Sequence, residues 1–140
     1  MNKKSDFFER GQDLIEYAII FPILFMVLVG IFDLGRVVYY YSALTNVARE
    51  GARWAVINPT DTANIKGIVC YYAVGLDLGC PNPPVTVTPL DQDSNGRDDH
   101  IRVNVSYDFK PVTPLIGSFL GLGSSDTLTL HGQATMGLEQ

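Results

Sequence analysis

The feature that most constrains this chain is an apolar run, residues 17–32, that carries no formal charge. It is almost entirely aliphatic or aromatic, the composition of a membrane helix. At ~1.5 Å per residue the run falls a little short of the ~30 Å hydrocarbon core. Leu14 and Ile15 supply the missing length but bring Glu16 with them. A carboxylate at that depth costs roughly 2.5–3.5 kcal/mol or more. Glu16 therefore needs a partner or a proton, and its placement asks for a functional reason.

Flanking charge sets the orientation. Lys3, Lys4 and Arg10 precede the run, against Asp6 and Glu9, and Asp33 follows it. Positive charge on the leading side places the N-terminus in the cytoplasm and the rest of the chain outside. A secretory signal cut after the run fits less well, because Gly30-Ile-Phe-Asp33 is a poor small-x-small site and helical periodicity continues past it. The net charge of -5 speaks against nucleic acid as a partner. Cys70 and Cys80 both lie on the outer side, where a disulfide persists. Closing so short a loop stabilises by roughly 2–3 kcal/mol on the chain-entropy account; two buried thiols are the alternative.

Beyond the run, Val37, Tyr41, Leu44, Ala48, Gly51 and Ala55 recur at steps of three and four, one face of an amphipathic helix. Arg36, Asn46, Arg49, Glu50 and Arg53 fall largely off that face. Tyr39, Tyr40 and Tyr41 stand where an aromatic belt belongs. The pattern predicts one long helix over residues 12–56, bent or loosened at Pro22 and ended by Asn58-Pro59. Residues 12–35 form its transmembrane half and residues 36–58 its outer continuation. Residues 1–10, taken alone, read as a disordered polar tail.

The last part, residues 59–140, reads as a small α+β domain near the lower limit for a self-sufficient core. Thr60 or Asp61 caps a short second helix to about Tyr72, burying Ala63, Ile68, Val69 and Tyr72. Gly75, Gly79 and Pro81-Asn-Pro-Pro84 mark a loop that Cys80 ties to the helix end at Cys70. The period then changes to two. Val85 and Val87, then Ile101, Val103, Val105, Tyr107 and Phe109, then Leu128, Leu130, Ala134 and Met136 alternate with polar residues, predicting three antiparallel strands. The outer half of the long helix is their natural cover. Between the last two strands, Thr113-Pro114 opens a tract presenting Leu115, Ile116, Phe119 and Leu120. It reads equally as a core plug or as a surface patch.

Several motifs now point one way. A basic leader ending at Gly11, then Gln12, with Glu16 five residues past Gly11 and an apolar helix beyond, resembles a type IV prepilin. The Glu16-Tyr17 pair is similar to that of the Tad (Flp) pilins. Asp33-x-Gly35-Arg36, Leu44-x-Asn46 and Ala48-Arg49-Glu50-Gly51-Ala52-Arg53 resemble the signature of TadE-like pseudopilins. The Pro111-Val-Thr-Pro-Leu-Ile-Gly117 run and the Ala134-Thr-Met136 ending extend that likeness over most of the chain. The resemblance implies a leader of residues 1–11, cleaved between Gly11 and Gln12 by a prepilin peptidase on the cytoplasmic face. It implies that Glu16 meets the freed amine of Gln12 on a neighbouring subunit. Other pilin-like subunits of a Tad apparatus are then the partners, in homo- or hetero-oligomers, with Tyr17, Arg36, Arg49, Glu50, Gly51 and Arg53 as assembly residues. Ala48, Gly51 and Ala52 are small enough for close helix packing.

One loop stands apart from this likeness. Asp91, Asp93, Asn95 and Asp99, with the Arg97 carbonyl, alternate oxygen donors around Gly96, as calcium loops do. Arg102 stands where an EF-hand places its bidentate acid, so the loop is no EF-hand. A polar hairpin tip turning at Asn95-Gly96 is the other reading. No nucleophile elbow, phosphate loop, HExxH or CxxC is present, and His100 and His131 read as edge residues. The sequence therefore predicts a structural subunit that needs no cofactor, at the cytoplasmic membrane or in a surface filament. Its rival is a membrane-anchored, calcium-dependent binding module, and an extracytoplasmic enzyme is a distant third.

Overall fold

A computed structural model gives the fold. It describes residues 5–91, 94, 96–112 and 127–138, with side chains from residue 14 onward. Helix α1 (Ser5–Ile57) runs unbroken for 53 residues, with Pro22 inside it. It begins earlier than the sequence suggested, taking in most of the polar leader. Asp6, Glu9 and Arg10 are compatible with helix, and a single glycine at Gly11 costs only about 1 kcal/mol. Extending an existing helix needs no new nucleus. At its other end the Asn58 amide donates to the Trp54 carbonyl at 3.1 Å, and Pro59 stops propagation.

Burial divides α1 in two. Leu14, Phe21, Leu24 and Phe32 are exposed by half or more of their surface, whereas from Asp33 onward one face is covered. Leu44, Ala48, Gly51 and Ala55 are buried as the periodicity predicts, joined by Val47 and Ala52. Tyr41 is not on that face. It is 55% exposed, and its neighbour Tyr40 packs inward instead, 5.1 Å from the Tyr107 ring and 5.6 Å from Phe109. A step of four from Leu44 reaches Tyr40, and a step of three reaches Tyr41. Facing the two sheet aromatics decides between them.

Helix α2 (Thr62–Tyr72) starts at an Asp61 cap whose Oδ1 accepts from the Asn64 amide at 3.2 Å. Its buried line is Ile65 and Val69. Ala63 and Tyr72 are exposed and Ile68 only half-buried, so of the expected inner residues Val69 alone is fully covered. Gly51 sets this phase. A Cβ there would lie 3.1 Å from Val69 Cγ2 and 3.8 Å from Ile65 Cγ2, so these two side chains, one turn apart, fill the space it leaves. The Cys70–Cys80 disulfide closes, with Cα atoms 5.9 Å apart, and anchors the loop carrying Leu76 and Leu78 to the core.

Strands β1 (Val85–Leu90), β2 (His100–Phe109) and β3 (Leu128–Gly137) form one antiparallel sheet in the order β1-β2-β3. Register aligns Val87 with Val103 and Val103 with Ala134. The apolar residues of β2 thus share one face with those of its neighbours, as period two requires. That face lies on the outer half of α1, and Leu44, Ile65, Val69, Ile101, Val103, Val105 and Phe109 are the largest fully buried side chains. The approach is closest at Gly132. A Cβ there would sit 2.6 Å from the Leu44 Cβ and closer still to the Leu44 carbonyl, so only glycine lets β3 seat on the helix. The apolar tract read at Leu115, Ile116, Phe119 and Leu120 lies outside the described residues.

Candidate functional site

The sequence placed its candidate residues along α1, and the structure distributes them from the lipid end outward. Gly11 and Gln12 fall within the helix; their side chains lie outside the described part. Glu16 and Tyr17 are exposed on an unpartnered apolar cylinder, Tyr17 by 71%. Among the described residues Glu16 makes no ion pair. Within Leu14–Ile57 the helix has a window of mean hydropathy 2.5, long and apolar enough to cross a membrane.

Where the apolar surface ends, the structure builds a joint that the sequence did not announce. Asp33 is 3% exposed. Its carboxylate accepts the Val112 amide on both oxygens, at 3.2 and 3.0 Å, and meets Arg36 Nη1 at 3.3 Å. The Arg36 guanidinium in turn lies 5.0 Å from the Phe109 ring centroid and 5.8 Å from that of Tyr40, within cation–π range. The segment leaving β2 is thereby pinned to α1 at the helix's exit from its apolar zone. Arg36 belongs to this internal joint. The available signal was the i,i+3 spacing of Asp33 and Arg36, which a reading of Asp33 as an end marker passed over.

The remaining residues of the motif separate into two groups. Ala48, Gly51 and Ala52 are buried in the chain's own core, and Gly51 serves contact with α2 and β2. Arg49 and Arg53 are exposed and Glu50 is half-buried. Arg49 and Glu50, with Tyr39, Ser42 and Asn46, form the helix wall of an open groove of about 580 Å³. Tyr72, Val74 and Leu76, from the end of α2 and its following loop, form the other wall. Tyr39 and Val74 are 58% and 81% exposed. The helix wall carries Ser42, Asn46, Arg49 and Glu50, and the opposite wall is aromatic and aliphatic.

On the sheet, burial pushes the Tyr107 hydroxyl above its ordinary 10.0, with the neighbouring Tyr40 adding to the rise and Arg36 opposing it. Between β1 and β2, Asp91 Oδ2 accepts the Gly96 amide at 2.7 Å. Asp99 Oδ1 lies 3.0 Å from His100 Nδ1. Asp93 and Asn95 lie outside the described residues. Among the described residues no three acidic, histidine or cysteine groups converge as a metal would require.

The family model described as TadE-like protein matches residues 11–53, the stretch that carries Glu16, the Asp33–Arg36 joint and the helix wall of the groove. The motifs read at residues 11–17 and 33–53 lie within the matched stretch, and the likeness read at residues 111–117 and 134–136 lies outside it. No curated protein and no solved structure matches the chain.

Proposed function

We propose that this chain is a minor pilin-like subunit that helps to assemble a Tad-type pilus or a related secretion filament. The observation that carries the reading is the coincidence on α1 of the TadE-like match over residues 11–53 with a helix built in two parts. The inner part is exposed and apolar, and the outer part is clamped into an α+β head. The TadE-like family is structural rather than catalytic, and the fold agrees with a role in assembly.

In this proposal the chain inserts with its N-terminus in the cytoplasm, and a prepilin peptidase cuts between Gly11 and Gln12. Glu16 then acts as the register mark. Its carboxylate is costly in lipid and is relieved when it meets the new amine of Gln12 on a neighbouring subunit. The Glu16→Gln variant tests this. It should insert and be cleaved at the wild-type rate yet leave cells without pili, whereas normal piliation would remove Glu16 from the mechanism.

A further inference from the structure

The exposed apolar surface of this protein continues past the end of the membrane-length segment and onto the underside of the head. Counted from Leu14, the ~20 residues that span a hydrocarbon core end at Asp33. The headgroup zone beyond the core is about 5–8 Å deep on each side. Val112 belongs at that boundary, because its amide donates to both oxygens of the Asp33 carboxylate. Its side chain is nevertheless 68% exposed.

The head comes down a second time on another side of α1. Tyr39 lies about 10 Å along the axis past Phe32 and about 120° around it from Asp33. Helical side chains lean toward the N-terminus, so the Tyr39 ring reaches back toward the bilayer. The loop after α2 meets it there, since a Cβ on Gly75 would lie 3.8 Å from the Tyr39 hydroxyl. Val74 and Tyr72 are exposed beside it, although Leu76 and Leu78 of the same loop are buried. Trp54 and Ile57, also exposed, stand more than about 20 Å further along α1 and take no part.

We propose that the underside of the head rests in the headgroup zone of the bilayer, with Val112 on one side of α1 and Tyr39, Tyr72 and Val74 on the other touching lipid. Lipid is the occupant common to both points. Each lies at headgroup depth beside a helix whose exposed apolar segment is long enough to cross a membrane. Tyrosine suits that depth, with an apolar ring and a polar hydroxyl. Charge offers no rival attraction. Apart from buried Asp33, the charged residues described at this end are Arg36 and Lys110 against Asp77 and Asp108. The contact is therefore apolar and needs no anionic lipid. Supports on two sides of α1 also hold the head at one tilt, which departure into a filament must undo. The inference deepens the assembly reading and rests on the membrane insertion it assumes, not on leader cleavage.

Depth-resolved fluorescence quenching of the full chain in phosphatidylcholine vesicles tests it. Cys70 and Cys80 are bonded to each other, so one introduced cysteine carries an environment-sensitive fluorophore. Leu24→Cys marks the apolar segment, Thr60→Cys the far end of α1, and Val74→Cys and Val112→Cys the two supports. The Leu24 site should be quenched best by a nitroxide deep in the acyl chain. The Val74 and Val112 sites should be quenched best by one near the headgroup, several-fold more than the Thr60 site and equally at low and high salt. Quenching there no greater than at the Thr60 site, with the Leu24 site still quenched, would overturn the proposal and leave insertion standing. So would quenching that salt abolishes, or a fluorophore shielded from water that neither nitroxide reaches, the mark of a protein cover. No quenching at the Leu24 site would remove insertion and this contact together. The readout involves neither cleavage nor piliation, so the Glu16→Gln result is decided separately.

Discussion

Asp33 shows most directly how one residue links the anchor to the head. Its buried carboxylate satisfies the Val112 amide and the Arg36 guanidinium together. Replacing it with alanine leaves a donor and a cation without their acceptor, and hydrogen bonds to charged groups contribute about 1.5–3 kcal/mol. Asp33→Ala should therefore lower the unfolding free energy of the head by about 2–3 kcal/mol in a denaturant titration of the micelle-bound protein. Asp33→Asn, which keeps an acceptor oxygen, should lose less. Sequence reading took Asp33 as the charge that follows the apolar run. It missed the burial because the partner, Val112, is remote in the chain. Tyr107 gives a second test. Its hydroxyl is raised above 10.0 chiefly by burial, so the folded state holds the proton more tightly than the unfolded state. That contribution is complete below the ordinary value and is lost as pH rises through the folded one. The melting temperature of the wild type should fall more steeply above pH ~10 than that of Tyr107→Phe.

At the scale of elements, the fold depends on how closely three surfaces approach the outer half of α1. Gly132→Ala places a methyl inside the Leu44 backbone, so β3 must lift from the helix. Overpacking of this kind costs about 1–3 kcal/mol or more, and the variant should melt well below wild type. At Gly51→Ala the nearest atom, Val69 Cγ2, lies at 3.1 Å and gives way by a few tenths of an ångström. The helix gains about 1 kcal/mol of propensity in partial compensation. Gly51→Ala should thus cost less than Gly132→Ala in the same thermal scan; the reverse order would contradict the packing described. The strands were legible because Ile101, Val103 and Val105 alternate strictly with polar residues, and one buried face fixes their phase. The face of α2 was not, since Ile65, Ile68, Val69 and Tyr72 offer two overlapping apolar lines. The choice between them was made by Gly51, on another helix. Gly132 was invisible for a related reason. Nothing in an alternating strand shows which inward position meets a backbone.

For the whole molecule, the long helix was legible from residues 17–32 and the three-four spacing beyond them. The architecture follows, since a sheet with one apolar face needs the helix face that α1 offers. The groove was not legible. Its walls are the outer helix and a loop held by the Cys70–Cys80 disulfide, and only folding brings Tyr39 and Val74 to the same opening. Its helix wall carries Asn46, Arg49 and Glu50, residues of the matched stretch 11–53 that the core leaves uncovered. The molecule thus has an inner apolar rod, long enough to cross a membrane, and an outer head locked to it at Asp33. Under the proposed function, the rod is released for assembly when the leader is removed. The intact mass and N-terminal sequence of the protein from its native membranes test that most directly. A chain beginning at Gln12, or its cyclised form, is the predicted result; a chain that keeps residues 1–11 while the peptidase is present would contradict it and leave a fixed membrane anchor.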